Sequence, residues 1–138
     1  MYAQEMKLPE GKQCAAFISV NLAAEFFWLS LDKRAAEMPK PLSLGQYGMT
    51  HGLPRLLSLL DELHIKATFF VPGKTAETYP EKIREIADRG HEIACHGYEY
   101  ENFGLLDAEE QRERVGKAVK AIEDACGKKP AGFRAPIG

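Results

Sequence analysis

Cysteine is scarce in this chain, and so is any excess of one charge. Cys14, Cys95 and Cys126 are odd in number, far apart and outside any C-x-x-C spacing. Reduced, mostly buried thiols are therefore expected, rather than a disulfide framework or a cysteine zinc site. The 18 Lys and Arg against 20 Asp and Glu leave a formal net charge of -2, too weak a field to favour nucleic acid or an anionic membrane. No run is long and uncharged enough to span a bilayer, and Met1 to Gln13 holds no apolar stretch of signal-peptide length. A soluble, cytosolic protein with no nucleic-acid and no membrane partner is expected. Internal repeats and low-complexity segments are also lacking. At 138 residues the chain suits one domain, which buries roughly two-thirds of its surface on folding.

What is present is an alternation of strand and helix signals. In Ala15 to Leu22, Ile18, Val20 and Leu22 alternate with Phe17, Ser19 and Asn21, which predicts a first strand. From Ala23 to Thr50 periodicity breaks around Phe26-Phe-Trp28, Pro39, Pro41, Gly45 and Gly48, a long aperiodic stretch of the kind that often carries function. Within it, Asp32 to Lys40 reads as a solvated helix or loop. Leu53, Leu56, Leu57, Leu60 and Leu63 fall at helical spacing. Lys66 to Val71 reads as a buried strand ended by Pro72 and Gly73, and Thr78 to Glu81 has capping-box spacing before a helix closed at Gly90. His91 to Cys95 is a third strand. Asp107 to Glu110 has the same cap spacing and opens a helix along Val115, Val119 and Ile122 that stops at Gly127. Ala131 to Arg134 completes the series as a short fourth strand. Such alternation argues for an α/β fold of parallel strands with outer helices.

In folds of this kind chemistry gathers in the loops at the C-terminal ends of the strands. That selects Asn21 to Glu25, Val71 to Lys74, His96 to Asn102 and Arg134 to Gly138. His91 opens its strand, roughly 16 Å from His96 at about 3.3 Å per residue, and reads as structural. His51 and His64 read as surface residues.

Three of these stretches carry a resemblance. Lys66-Ala-Thr-Phe-Phe-Val-Pro-Gly73, Gly90-His-Glu-Ile-Ala-Cys-His-Gly97 and Gly132-Phe-Arg-Ala-Pro136 resemble successive signatures of the NodB-like polysaccharide deacetylases, nearest the cytoplasmic subgroup of peptidoglycan deacetylases, allantoinase-like enzymes and cyclic imide hydrolases. The resemblance implies a partial distorted (β/α) barrel, residues 1–138 forming one incomplete domain. It also implies hydrolysis of a non-peptide C–N amide bond, in a glycan or small molecule, with zinc or another divalent metal. In that family one Asp is the general base, a second Asp binds metal, and a His-x-x-x-His pair completes the site. A carboxylate and two imidazoles leave room on the ion for water and substrate.

The matching positions here depart from that pattern. In one register the base falls on Asn21 and the metal Asp on Ala23; in the other they fall on Ala23 and Ala24. His96 matches the first histidine, and Tyr100 stands at the second. Glu25 has the reach to substitute as a ligand, or serves in a salt bridge or loop cap. Tyr100 is expected to pack against Phe103 or Tyr98, since a phenol with pKa near 10 is a poor ligand. Glu99 and Glu101 are expected to be solvated. Arg134, whose family counterpart orients the base, is expected to pair with Glu25 or Glu92. Trp28 and Tyr98 are candidates to face substrate; the Phe26 to Trp28 cluster fits a cleft wall and a core equally. The chain stops inside the third motif, before the strands that carry the family's leaving-group histidine. The expectation is thus a deacetylase-type hydrolase with a degraded metal site and no tight metal binding. The alternatives are a non-catalytic binding or assembly module, or a fragment of a cyclic imide or allantoin-type amidohydrolase. Self-association through the open strands is expected, driven by Phe17, Phe69 or Phe70 and Ile93.

Overall fold

A computed structural model describes Leu8 and residues 10–137. Its centre is a three-stranded parallel sheet in the order β1 (Ser19–Asn21), β2 (Thr68–Val71) and β3 (Glu92–Cys95). Ser19 pairs with Thr68 and Thr68 with Glu92; Asn21 pairs with Phe70 and Phe70 with Ala94. The strands are joined through helices α1 (Phe26–Leu31), α2 (Pro39–Tyr47), α3 (Leu53–Glu62), α4 (Gly73–Thr78) and α5 (Pro80–Asp88), and α6 (Ala108–Cys126) follows β3.

The leucine stripe behaves as its spacing predicts: Leu53, Leu57 and Leu60 of α3 are buried. They meet Phe69 and Val71 of β2, Ile83 and Ile86 of α5, and Ala118 and Ile122 of α6 in one core. Each fully buried Leu, Ile or Phe there contributes roughly 1.5–3 kcal/mol. The Asp107 carboxylate accepts from the amides of Glu109 and Glu110 while the Glu110 carboxylate accepts from the Asp107 amide, a complete capping box. Gly127 ends α6 in the left-handed region at φ 73.

Several expectations need correction. The first strand is only Ser19–Asn21, and Phe17 upstream is 81% exposed. The fourth strand is reduced to a single parallel bridge, Cys95 to Phe133, in a stretch confined between Pro130 and Pro136. Thr78 caps no new helix; its hydroxyl donates to the Lys74 carbonyl at 2.8 Å and so closes α4. The N-cap of α5 is Tyr79, with no side-chain bond. The aperiodic segment is helical, and α2 runs into α3 through a π-helical turn, Gly48–Gly52. There the wider spacing hides the 3.6 period. Of the cysteines only Cys95 is buried, Cys126 being half-buried and Cys14 exposed.

The sheet has two unlike faces. Phe69, Val71, Ile93 and Cys95 point to the helices, whereas the opposite face carries Ser19, Asn21, Thr68, Phe70, Glu92 and Ala94. Phe69 and Ile93 are therefore core residues, not part of an open apolar patch. Phe70 alone of that pair of phenylalanines lies on the open face, where a groove of about 260 Å³ runs past Phe133 and Arg134.

Candidate active site

Parallel strands end together, so the segments after β1, β2 and β3 meet at one edge of the sheet. The Leu22 amide still donates to the Phe70 carbonyl at 2.9 Å, which fixes where the chain leaves β1. Ala24 takes φ 50, and the Phe26 amide donates back to the Ala23 carbonyl at 3.1 Å. That carbonyl also accepts from the Thr75 hydroxyl at 3.3 Å. The Ala23 methyl is buried and offers a cation nothing.

Glu25 is 9% exposed, and both its carboxylate oxygens accept from the Tyr79 hydroxyl, at 3.1 and 2.9 Å. Burial first, then the carboxylate, pushes the Tyr79 phenol up to about 12, so it remains a donor. The carboxylate able to replace a lost ligand is thus occupied at the end of α4.

His96 is fully buried just beyond β3. Its Nδ1 lies 2.8 Å from the Arg134 carbonyl; a carbonyl only accepts, so Nδ1 carries the proton and Nε2 of the neutral ring presents a lone pair. That Nε2 is buried without a partner among the described residues. Burial holds the imidazole pKa below its usual value against the opposing pull of the Arg134 carbonyl. Gly97 follows at φ 71, where a side chain would strain the backbone and a Cβ would sit 2.8 Å from Pro136 Cγ.

Tyr100 stands edge-on to His96, 5.0 Å between centroids, and edge-on to Phe27 at 5.7 Å. These are its aromatic partners in place of the expected Phe103 and Tyr98. Tyr98 faces no cleft: it is 2% exposed beneath Lys117, and its hydroxyl donates to Glu77. Trp28 is half-buried beside Phe27 at 5.2 Å and does not line the adjoining groove of about 400 Å³, which is walled by Phe26, Leu29, Lys33 and Glu101 among others. Glu101 is not simply solvated, since its carboxylate accepts from the amides of Tyr98 and Glu99.

Arg134 pairs with neither Glu25 nor Glu92. Its Nη1 donates to Asn21 Oδ1 at 2.8 Å and its Nη2 to Ser19 Oγ at 3.1 Å, while the guanidinium lies 3.8 Å over the Phe70 ring. Glu92 instead accepts from the Thr68 hydroxyl. Ser19 was open to discovery from sequence, because it shares a strand face with Asn21; Tyr79 and Thr75 gave no such signal.

Among the described residues no three His, Cys, Asp or Glu side chains converge to hold a metal ion. The donor set at the expected centre is one imidazole, a methyl group and a phenol ring, which does not fit a three-ligand ion site.

The polysaccharide deacetylase family profile matches residues 45–138. The chain belongs to the polysaccharide deacetylase family. It is 35% identical to the peptidoglycan deacetylase of Helicobacter pylori over 126 residues, 91% of this chain and 43% of that protein. It is also 35% identical over 133 residues to a peptidoglycan deacetylase-like protein of Gibberella zeae, 94% of this chain and 39% of that one. The crystal structure of a Mycobacterium smegmatis protein described as a polysaccharide deacetylase superposes with a TM-score of 0.91 at 41% identity, covering 95% of this chain and 46% of the other. The chain thus spans less than half the length of these relatives. Its α/β fold is of the family's NodB type, and the family is generally metal-dependent.

Proposed function

We propose that this chain is a deacetylase-type amide-hydrolase framework that has lost its metal centre and binds an N-acylated glycan, or a related small amide, without hydrolysing it. The observation that carries this reading is the presence of Ala23 and Tyr100 at two of the positions that would hold the metal. A buried methyl and an aromatic ring occupy the positions where the family places a carboxylate and an imidazole, while Tyr79 keeps Glu25 engaged. Asn21 adds a second loss, since an amide cannot take a proton from water as an aspartate base does. Zinc, the ion the family resemblance implies, is accordingly bound weakly or not at all.

The test is turnover and binding measured side by side. Acetate release from an N-acetylglucosamine oligomer, with zinc and with chelator, is expected to stay at background, while calorimetric titration detects binding of the oligomer. Chelator-sensitive release contradicts the proposal. Three unpaired cysteines favour a reducing, cytosolic setting, and no helix among the described residues is long and apolar enough to cross a membrane. A second copy of the chain is the partner proposed for the strand edges.

A further inference from the structure

The guanidinium of Arg134 is held as a built feature rather than a surface charge. Asn21 Oδ1 and Ser19 Oγ fix its two terminal nitrogens at 2.8 and 3.1 Å, and the Phe70 ring supports its plane at 3.8 Å. The backbone on either side is pinned as well: the Arg134 amide donates to the Cys95 carbonyl at 3.0 Å and the Arg134 carbonyl receives His96. Yet both side-chain acceptors are neutral, and among the described residues no carboxylate forms an ion pair with this cation. The remaining N–H groups of the fork have no acceptor there, and they border the groove of about 260 Å³ on the open sheet face. Glu92 lines the same groove one rung further toward the strand N-termini, and Thr68 engages it.

A planar guanidinium with a free edge matches a carboxylate in a two-pronged contact. Asn21 matters here because an amide has the shape of an aspartate side chain without its charge, so the position that would neutralise Arg134 does not. We propose that Arg134, positioned by Asn21, Ser19 and Phe70, binds the carboxylate of a ligand entering the open face, with Phe133 and Ile18 contacting the apolar part next to it. The carboxylate can belong to an acidic sugar or to a peptide C-terminus. The inference does not rest on the glycan reading.

Heteronuclear NMR titrations of the full chain test it with paired probes: N-acetylmuramic acid against N-acetylglucosamine, which lacks the carboxylate, and a short peptide with a free C-terminus against its amide. The carboxylate member of at least one pair is expected to bind at least tenfold tighter than its neutral partner and to shift the Arg134 side-chain Nε–H resonance. Preference within the peptide pair alone supports the site while counting against the glycan reading. Asn21→Asp, which places an internal carboxylate against the guanidinium, is expected to abolish the preference without unfolding the chain; Arg134→Gln is expected to do the same, and Arg134→Lys to retain part of it. Equal binding within both pairs overturns the proposal, as does an Asn21→Asp protein that keeps the preference. Inorganic phosphate competing as well as acetate overturns the assignment to carboxylates.

Discussion

At the scale of single residues, burial disfavours the charged form of both buried histidines. His91 accepts the Ala67 amide on Nδ1 at 3.3 Å, lies against Phe69, and has a buried Nε2 without a partner among the described residues. Burial lowers its pKa first; Lys66 and Arg89 add to the effect and Asp61 opposes it. The unfolded chain therefore binds this proton more readily than the folded one. Stability is full above the ordinary imidazole value of about 6.5 and declines as pH falls from there through the lower folded value. His96 acts in the same direction. Thermal melts between about pH 7.5 and 5.5 are expected to show falling midpoints, with a shallower slope in His91→Gln; an unchanged slope assigns the effect elsewhere. His91 was legible as structural because it lies at the N-terminal end of the third strand, which begins at Glu92. The partner of Arg134 was not legible, since a salt bridge to Glu25 or Glu92 was the simpler charge argument. Only the register that sets Asn21 beside Phe70 brings the amide to the guanidinium.

Elements with local, reciprocal signals were the ones sequence revealed. The box at Asp107 satisfies its own amides within one turn, so it needs no tertiary context, and Asp107→Ala is expected to cost about 1 kcal/mol in chemical denaturation. Thr78 has the same spacing, but it is the last residue of α4, and its hydroxyl turns back along that helix. Helix α2 was illegible because proline, glycine and a π-helical turn obscure its period. Its place is set by contact: a Cβ on Gly45 would lie 2.4 Å from the Cα of Glu25. Gly45→Ala must push α2 off the segment that carries Ala23 and Glu25. A loss of roughly 1–3 kcal/mol is expected, along with weakened protection of the Glu25–Tyr79 bond in hydrogen exchange at neighbouring amides. A neutral Gly45→Ala would mean that α2 does not press on the site.

Over the whole molecule, the fold class was readable because strand and helix signals alternate, and the family because three motifs fall in order. The composition of the open face was not readable, since adjacent Phe69 and Phe70 cannot be assigned to opposite faces until the register is known. That face is mixed: Ser19, Asn21, Thr68 and Glu92 stand beside Phe70, with Phe17 and Phe133 81% and 47% exposed at its margin. Strand edges and these two rings are expected to pair copies of the chain, seen as a concentration-dependent mass in light scattering at micromolar protein; Phe17→Ser is expected to shift the distribution toward monomer. A monodisperse monomer at all concentrations counts against that assembly.

The central claim is that two positions, Ala23 and Tyr100, separate this chain from a metal-binding relative, and calorimetric zinc titration addresses it most directly. Tyr100 already adopts φ 66, a conformation histidine tolerates better than most side chains, so Tyr100→His fits the existing backbone. The wild-type chain is expected to show no submicromolar zinc site, and the Ala23→Asp, Tyr100→His double variant to bind one zinc per chain. Submicromolar zinc binding by the wild type, or none by the double variant, contradicts the account.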